Sequence, residues 1–241
     1  MLRRLLARAV AGPTYPPDAG DARDIAIAGI QLPLRATIAV FAATALLLLD
    51  HGQALLPRTP ADGVGGLEPI VIQRFVLFLI VPLAIVIALF RDEPRRYGLA
   101  LGDWRWGISL LLAGLAVMTP IILTLSGLES FRTYYGGEQT PLGQRVANHL
   151  AQLIPAEFLF RGFLLFALWR RIGALALVVV QVPFVLTHIG KPDVELWSTF
   201  VGGSIFAWLD WRTGSILWSA LGHVYVLTLM LLAVGGASLG A

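Results

Sequence analysis

The sequence predicts an all-α protein, a polytopic transmembrane helical bundle of about seven spans, with a range of about six to eight. Three observations lead to this fold class: 57% of the residues are hydrophobic, the mean hydropathy is +0.76, and only 14% are charged. Soluble proteins carry about 25% charged residues, so this chain cannot cover a surface that faces water. Its apolar residues also form blocks near the roughly 20 residues that cross a bilayer as a helix.

Each apolar block is predicted to form a helix, because an open sheet edge would leave backbone groups unpaired in lipid. The first and the sixth block are short for a full crossing. The predicted spans are 34–49, 69–90, 107–128, 146–168, 172–190, 197–211 and 215–236. The bundle is therefore expected at 34–241, after a cytoplasmic N-terminal segment at 1–33. The first residues are basic but lack the apolar core of a signal peptide.

Arginine residues concentrate in alternate loops, beginning with the N-terminal segment. The others are in the loop 91–106, at Arg170 and Arg171 and at Arg212. Because basic residues favour the cytoplasmic side, the N-terminus is expected in the cytoplasm and, with seven spans, the C-terminus outside. We expect an integral protein of a bacterial inner membrane, surrounded by the lipid bilayer.

The composition excludes two classes of function. Cysteine is absent, which rules out disulfides and thiol chemistry. The arginines lie between apolar blocks and not along one face, and Lys191 is the only lysine. The net charge of +3 therefore does not indicate a nucleic-acid partner.

Ionisable residues inside the apolar segments are the candidate functional residues, because such groups are costly in a membrane and usually mark function. The four strongest candidates are Glu157, Arg161, His188 and His223. Weaker candidates, close to span ends, are Arg74 and His149. A carboxylate can act as a general base, and an imidazole can shuttle protons or bind a metal.

Each candidate also has a structural interpretation. Glu157 and Arg161 share one helix face, one turn apart, so they can form an ion pair that only supports packing. A single histidine in a helix is more often a hydrogen-bonded core residue than a catalyst. The combination favours a site, because one carboxylate and two histidines come from three predicted helices. All four side chains are expected to converge on one cavity inside the bundle.

Three segments resemble the motifs of the CAAX protease and bacteriocin-processing family (CPBP, or Abi), which are intramembrane endopeptidases. The segments are PAEFLFRGFLLF, FVLTH and WLDWRTGSILWSALGH, and the resemblance covers residues 146–230 approximately. Glu157 and Arg161 match the second glutamate and the arginine of the first motif. Phe184 and His188 match the second motif, and His223 matches the histidine of the third. The resemblance implies that Glu157, Arg161, His188 and His223 form the catalytic site.

Two positions depart from the family pattern. Ala156 replaces the first of two adjacent glutamates, and Leu227 replaces an asparagine or aspartate. In the family, that glutamate and the second-motif histidine are thought to activate the attacking water. The third-motif histidine and the asparagine are thought to stabilise the oxyanion.

Other polar residues are weak replacements for the lost pair. Asn148 lies about 13 Å along the helix from Glu157 at 1.5 Å per residue, which is too far. Glu195 is expected at the mouth of the site, outside the hydrocarbon. Asp210 is expected to be a boundary residue at the end of the sixth span, which leaves Glu157 as the only carboxylate in the core.

The resemblance implies an endopeptidase that hydrolyses a peptide bond of a peptide or membrane-protein substrate. Glu157 and His188 would hold the water, and His223 would meet the oxyanion. The same three residues would suit a catalytic zinc or a site without metal, and no other cofactor is expected. The alternative is a catalytically degenerate relative that binds a peptide or a membrane protein. A proton-coupled transporter or channel ranks third, because it gives no reason for the FRG and RTGS segments.

Overall fold

The computed structural model describes residues 12–52, 67–136, 140–235 and 237–238. Over these ranges the chain is a helical bundle with two small sheets. β1 (Asp24–Ile27) and β2 (Ile30–Pro33) form an antiparallel hairpin before the first long helix. β3 (Thr140–Pro141) pairs in parallel with β4 (Ala237–Ser238). The expectation for the cytoplasmic segment 1–33 falls partly on residues 1–11, outside the described residues.

Among the described residues, one helix follows each predicted apolar block in order, and a short additional helix lies between the third and the fourth block. They are α1 (Leu34–Gly52), α2 (Pro69–Leu89), α3 (Trp104–Leu125), α4 (Glu129–Tyr135), α5 (Leu142–Ile172), α6 (Leu175–Leu186), α7 (Asp193–Thr213) and α8 (Leu217–Ala233). By length and composition, α1, α2, α3 and α5 can cross a membrane, and α6 and α8 are shorter apolar helices. The predicted all-α polytopic bundle is confirmed.

Predicted helix boundaries differ from the observed ones by a few residues, and the fifth and sixth blocks are examples. The sixth block, predicted at 197–211, is the 21-residue helix α7, which at 1.5 Å per residue reaches about 30 Å. It begins after Pro192 and carries acidic side chains in its first turn, where the helix dipole favours them. The fifth block, predicted at 172–190, ends earlier because the chain turns after Leu186, with a positive φ of 93° at Gly190.

Helix α5 is the centre of the bundle. In its apolar stretch 72% of the residues are buried, against 6% in α3, so α5 is surrounded by protein and α3 is not. Within α5, the backbone adopts π-helical turns over Phe158–Leu164. Such turns are frequent at functional sites, and this one begins directly after Glu157. An apolar pattern of period 3.6 gives no sign of it.

The N-terminal segment is attached to one end of the bundle by a network of charges. Arg35 of α1 binds Asp18 at 2.9 Å and Asp21 at 3.0 Å, and Arg96 pairs with both aspartates. The Tyr15 hydroxyl donates a hydrogen bond to the Trp211 carbonyl at 2.5 Å. The loops predicted to be cytoplasmic therefore meet at the same end. Which side of a membrane this end faces stays a prediction.

Candidate active site

Glu157 and Arg161 form the predicted ion pair in the middle of α5. Arg161 Nη1 binds Glu157 Oε2, and the two side chains are only 1% and 0% exposed. The guanidinium also lies over the ring of Phe184, at 4.1 Å from the centroid, and near Phe206, at 5.5 Å. Because buried charges are costly unless paired, this pair and its aromatic contacts explain how both residues occupy the core.

His223 of α8 contacts the same carboxylate from the opposite side. Its Nδ1 lies 2.7 Å from Glu157 Oε1, and its side chain is 17% exposed. A carboxylate bound to Arg161 accepts hydrogen bonds, so Nδ1 of His223 carries the hydrogen and Nε2 remains available. Glu157 thus fixes the tautomer and the orientation of the imidazole.

His188 lies just after α6, in the turn that ends the helix. Its Nδ1 is 3.0 Å from the carbonyl of Phe184, and its ring is 4.7 Å from the Phe184 ring. The ring of His223 is 6.2 Å from that same ring. The structure therefore brings Arg161 and His223 into direct contact with Glu157 and places His188 against the ring of Phe184. A shared cavity stays a prediction.

The position of Asp210 differs from the one expected from the sequence. It was expected at a span boundary, but α7 continues to Thr213 and its side chain is fully buried. Ser219 Oγ lies 2.7 Å from Asp210 Oδ2 and 3.3 Å from Glu157 Oε2. The expectation that Glu157 is the only carboxylate in the core is wrong. The error arose because the predicted sixth span ended at 211, which placed Asp210 beside its boundary.

The glycines of the FRG and RTGS segments have packing roles. A Cβ atom on Gly162 would lie 2.7 Å from the carbonyl oxygen of Tyr97 and 2.5 Å from the Phe158 ring. Gly214 has a φ of +70° and ends α7, a conformation that glycine adopts without strain. The first glycine lets the loop before α3 approach α5. The second makes the turn that brings Ser219 back to Asp210.

The weaker candidates have structural partners of their own. Arg74 binds Asp50 at 3.1 Å, and Nδ1 of His149 lies 2.9 Å from the hydroxyl of Thr228. These contacts join neighbouring helices and do not include Glu157. The structural interpretation of Arg74 and His149 is therefore sufficient.

Asn148 and Glu195 are also engaged elsewhere. The amide oxygen of Asn148 accepts a hydrogen bond from the backbone N–H of Glu68 at 3.2 Å. Glu195 binds Lys191 at 2.6 Å and the hydroxyl of Tyr135 at 2.7 Å. Neither contact joins the Glu157 cluster, so these residues do not replace the lost pair through any described contact.

The three candidate zinc ligands do not fit a metal site. No group of three or more His, Cys, Asp or Glu side chains that could hold a metal ion occurs among the described residues. Glu157 and His223 bind each other, and Nδ1 of His188 faces a backbone carbonyl. A catalytic zinc needs three protein ligands with one open position, which this arrangement does not offer.

The fold and the site together define a class: a polytopic membrane protein with a buried glutamate–arginine pair and histidines from two other helical segments. Residues 138–229 match the family model described as "Type II CAAX prenyl endopeptidase Rce1-like". The match includes all four candidate residues and Asp210, and it confirms the family resemblance of this region. No curated protein and no solved structure matches the chain.

Proposed function

We propose that this protein is an intramembrane endopeptidase. The observation that carries the proposal is the contact of His223 with Glu157 at 2.7 Å, inside the region that matches the endopeptidase family. A carboxylate–imidazole pair is a recurrent arrangement in hydrolases, because the carboxylate orients the ring and stabilises its protonated form. In this site the carboxylate is fully buried, the imidazole is half-buried, and a third group, Arg161, holds the carboxylate.

His188 is the proposed general base. Its Nδ1 faces the carbonyl of Phe184, and a carbonyl only accepts hydrogen bonds, so Nδ1 carries the hydrogen. In the neutral ring, Nε2 is then an acceptor that can take a proton from water. This role needs a histidine that stays neutral, and the described hydrogen bonds of His188 include no carboxylate that would favour its charged form.

His223 is the proposed oxyanion donor. With Nδ1–H bound to Glu157, a hydrogen on Nε2 would point away from the carboxylate, and this Nε2–H can donate to the developing negative charge of the tetrahedral intermediate. Glu157 orients His223 and does not hold the water itself, because one of its oxygens accepts from His223 and the other binds Arg161. Arg161 in turn balances the buried carboxylate. The roles differ from those inferred from the sequence, where Glu157 was a water ligand.

The proposed substrate is a peptide bond in a peptide or membrane protein that reaches the site from the bilayer. The family description names a CAAX prenyl endopeptidase, so a prenylated peptide ending in a CAAX sequence is the first probe. The same peptide without the prenyl group tests whether the lipid is required.

The test is a cleavage assay on the purified protein in lipid vesicles. The wild type is expected to cleave a probe, and Glu157→Gln and His188→Ala are expected to lose the activity. His51→Ala is the matched control, because His51 is exposed at the end of α1. Cleavage by Glu157→Gln and His188→Ala at the wild-type rate would contradict the proposal.

The second candidate function is a catalytically degenerate relative that binds a peptide or a membrane protein. It is favoured by the replacement of two family residues by Ala156 and Leu227 and by the complete burial of Glu157. A folded wild type that binds the probes without cleaving any of them would favour this function.

A further inference from the structure

The buried carboxyl group of Asp210 has no role in the mechanism above, yet it is joined to the site. Its Oδ2 lies 2.7 Å from Ser219 Oγ, and that hydroxyl lies 3.3 Å from Glu157 Oε2. The Asp210 side chain is fully buried. Its Oδ1 has no hydrogen-bond partner among the described residues. Two carboxyl groups from α7 and α5 therefore meet at one serine of α8.

Counting hydrogens decides which way these hydrogen bonds run. Ser219 Oγ is close to three oxygens, namely Asp210 Oδ2, Glu157 Oε2 and the carbonyl of Ile216 at 3.0 Å. A serine hydroxyl has one hydrogen, whereas an ionised carboxylate and a carbonyl have none. If both carboxyl groups were ionised, at most one of the three contacts could hold a well-directed hydrogen bond. A hydrogen on Asp210 Oδ2 makes its contact with Ser219 favourable and leaves the serine hydrogen for Glu157.

The charges around Asp210 agree with this count. Among the described residues, Glu157 and Arg161 act electrostatically on Asp210, and Asp210 acts on Tyr15. Arg161 is already paired with Glu157, and the described hydrogen bonds of Asp210 include no cation. A second buried anion without a cation of its own would be costly, and a buried acid avoids that cost by keeping its proton.

We propose that Asp210 is a positioning residue of the site: a protonated carboxyl group that donates to Ser219, which in turn donates to Glu157. The hydrogen bonds then run in one direction, from Asp210 through Ser219 to Glu157, whose other oxygen holds His223. Asp210 does not touch the substrate. It fixes the carboxylate of Glu157, and thereby the ring of His223, through the serine.

The test of the catalytic consequence rests on the proposed function and compares conservative with truncating variants. Asp210→Ala and Ser219→Ala are each expected to lower kcat about tenfold, the equivalent of one hydrogen bond, with KM unchanged. Asp210→Asn keeps an N–H donor toward Ser219 and is expected to recover most of the loss caused by Asp210→Ala. The double variant Asp210→Ala/Ser219→Ala should be no slower than Ser219→Ala alone. Additive losses, or an Asp210→Asn variant as slow as Asp210→Ala, would overturn the proposal.

A second measurement does not need any peptidase activity. Infrared spectroscopy of the protein in lipid should show the carbonyl stretch of a buried protonated carboxyl group, and this band should disappear in Asp210→Asn. Asp193→Asn, at an exposed position at the start of α7, is the control that keeps the band. A spectrum in which Asp210→Asn removes no such band overturns the proposal. If the band is lost as expected but the wild type cleaves no probe, the proposed function fails and the protonated Asp210 stands.

Discussion

Gly203 of α7 lies directly against the ring of Phe184 of α6. A Cβ atom at residue 203 would be 2.9 Å from Phe184 Cδ1 and 2.3 Å from the side-chain oxygen of Gln181. The same ring contacts His188 and Arg161. A glycine in α7 therefore determines where the central aromatic ring of the site can lie.

The first prediction follows from that contact. Gly203→Ala is expected to displace the Phe184 ring and to destabilise the protein by about 1–3 kcal/mol, as overpacking does in a filled core. The rate of peptide cleavage should fall as well, because His188 packs on that ring.

The adjacent Gly202 provides the matched control, because a Cβ atom there would meet no atom within 4 Å. Gly202→Ala is expected to be neutral or slightly stabilising, since alanine is the better helix former. Thermal unfolding in detergent measures both variants. Equal melting temperatures for the two alanine variants would contradict the prediction.

The second prediction compares the two partners of Glu157. Arg161→Ala removes the only cation in direct contact with a fully buried carboxylate among the described contacts. Removing one member of a buried pair costs about 3–5 kcal/mol, so this variant should express poorly and unfold early. His223→Ala leaves the ion pair intact and should lose activity while keeping most of its stability. Similar yields and unfolding curves for both variants would argue against a structural role for Arg161.

The third prediction concerns the missing family glutamate. Ala156 is half-buried beside Glu157 and packs on the hydrophobic core. In an active peptidase, Ala156→Glu should raise the cleavage rate, because general-base catalysis is worth about 10²–10⁴-fold. In a binding relative it should only destabilise the bundle, since an acid at mid-span costs about 2.5–3.5 kcal/mol.

A control for added charge is Ala151→Glu, at a half-buried position earlier in α5. It should destabilise the protein without any gain in rate. A gain in rate from Ala151→Glu would show that position 156 has no special role.

The fourth prediction concerns acid pH and the N-terminal network. Burial acts to raise the pKa of the Asp18 carboxyl, but hydrogen bonds from the Asp21 backbone N–H and from Arg96 and Arg35 hold this pKa below its ordinary value. A carboxyl whose pKa is lowered by folding stabilises the protein above its unfolded pKa of about 3.9. That contribution is lost as the pH falls below this value toward the folded pKa.

The melting temperature is measured between about pH 7 and about pH 3, a range that includes the pKa of roughly 3.9 of an unfolded aspartate. Asp18→Asn should lower the melting temperature at neutral pH. On acidification, the melting temperature of this variant should fall by less than that of the wild type. Asp193→Asn is the control at the other end of the bundle. A wild-type acid dependence that survives unchanged in Asp18→Asn would contradict the assignment.

Hydropathy alone predicted the long helices because burial in lipid requires long apolar segments with all backbone groups paired. The ion pair of Glu157 with Arg161 was also predictable, since residues four apart share a helix face. Asp210 was not predictable in this way. Its partner Ser219 lies nine positions later, across a turn whose geometry depends on Gly214. A charged residue near the end of an apolar segment is predicted to lie at the span boundary, not in the core.

The position of Phe184 could not be derived from the sequence either. In the sequence, Phe184 is only one residue of the second motif. In the structure its ring contacts His188, lies under the guanidinium of Arg161 and approaches His223. These contacts depend on how α6 packs against α5 and α7. A sequence pattern predicts which face of a single helix is buried, but it does not predict how three helices pack against one another.

The N-terminal charge network has a consequence for how the chain is assembled during synthesis. Asp18 and Asp21 leave the ribosome early, but Arg96 and Arg171 come later, and Arg171 donates to the carbonyl of Asp21 across 150 positions. Arg35 of α1 can bind both aspartates early, but the contact with Arg171 can form only after the central helix α5 has been made. Because chains are made from the N-terminus onward, the network becomes complete only after α5 has been synthesised. A nascent chain stopped before residue 170 lacks the contact of Arg171 with Asp21 and should be cleaved by protease in this segment faster than the finished chain.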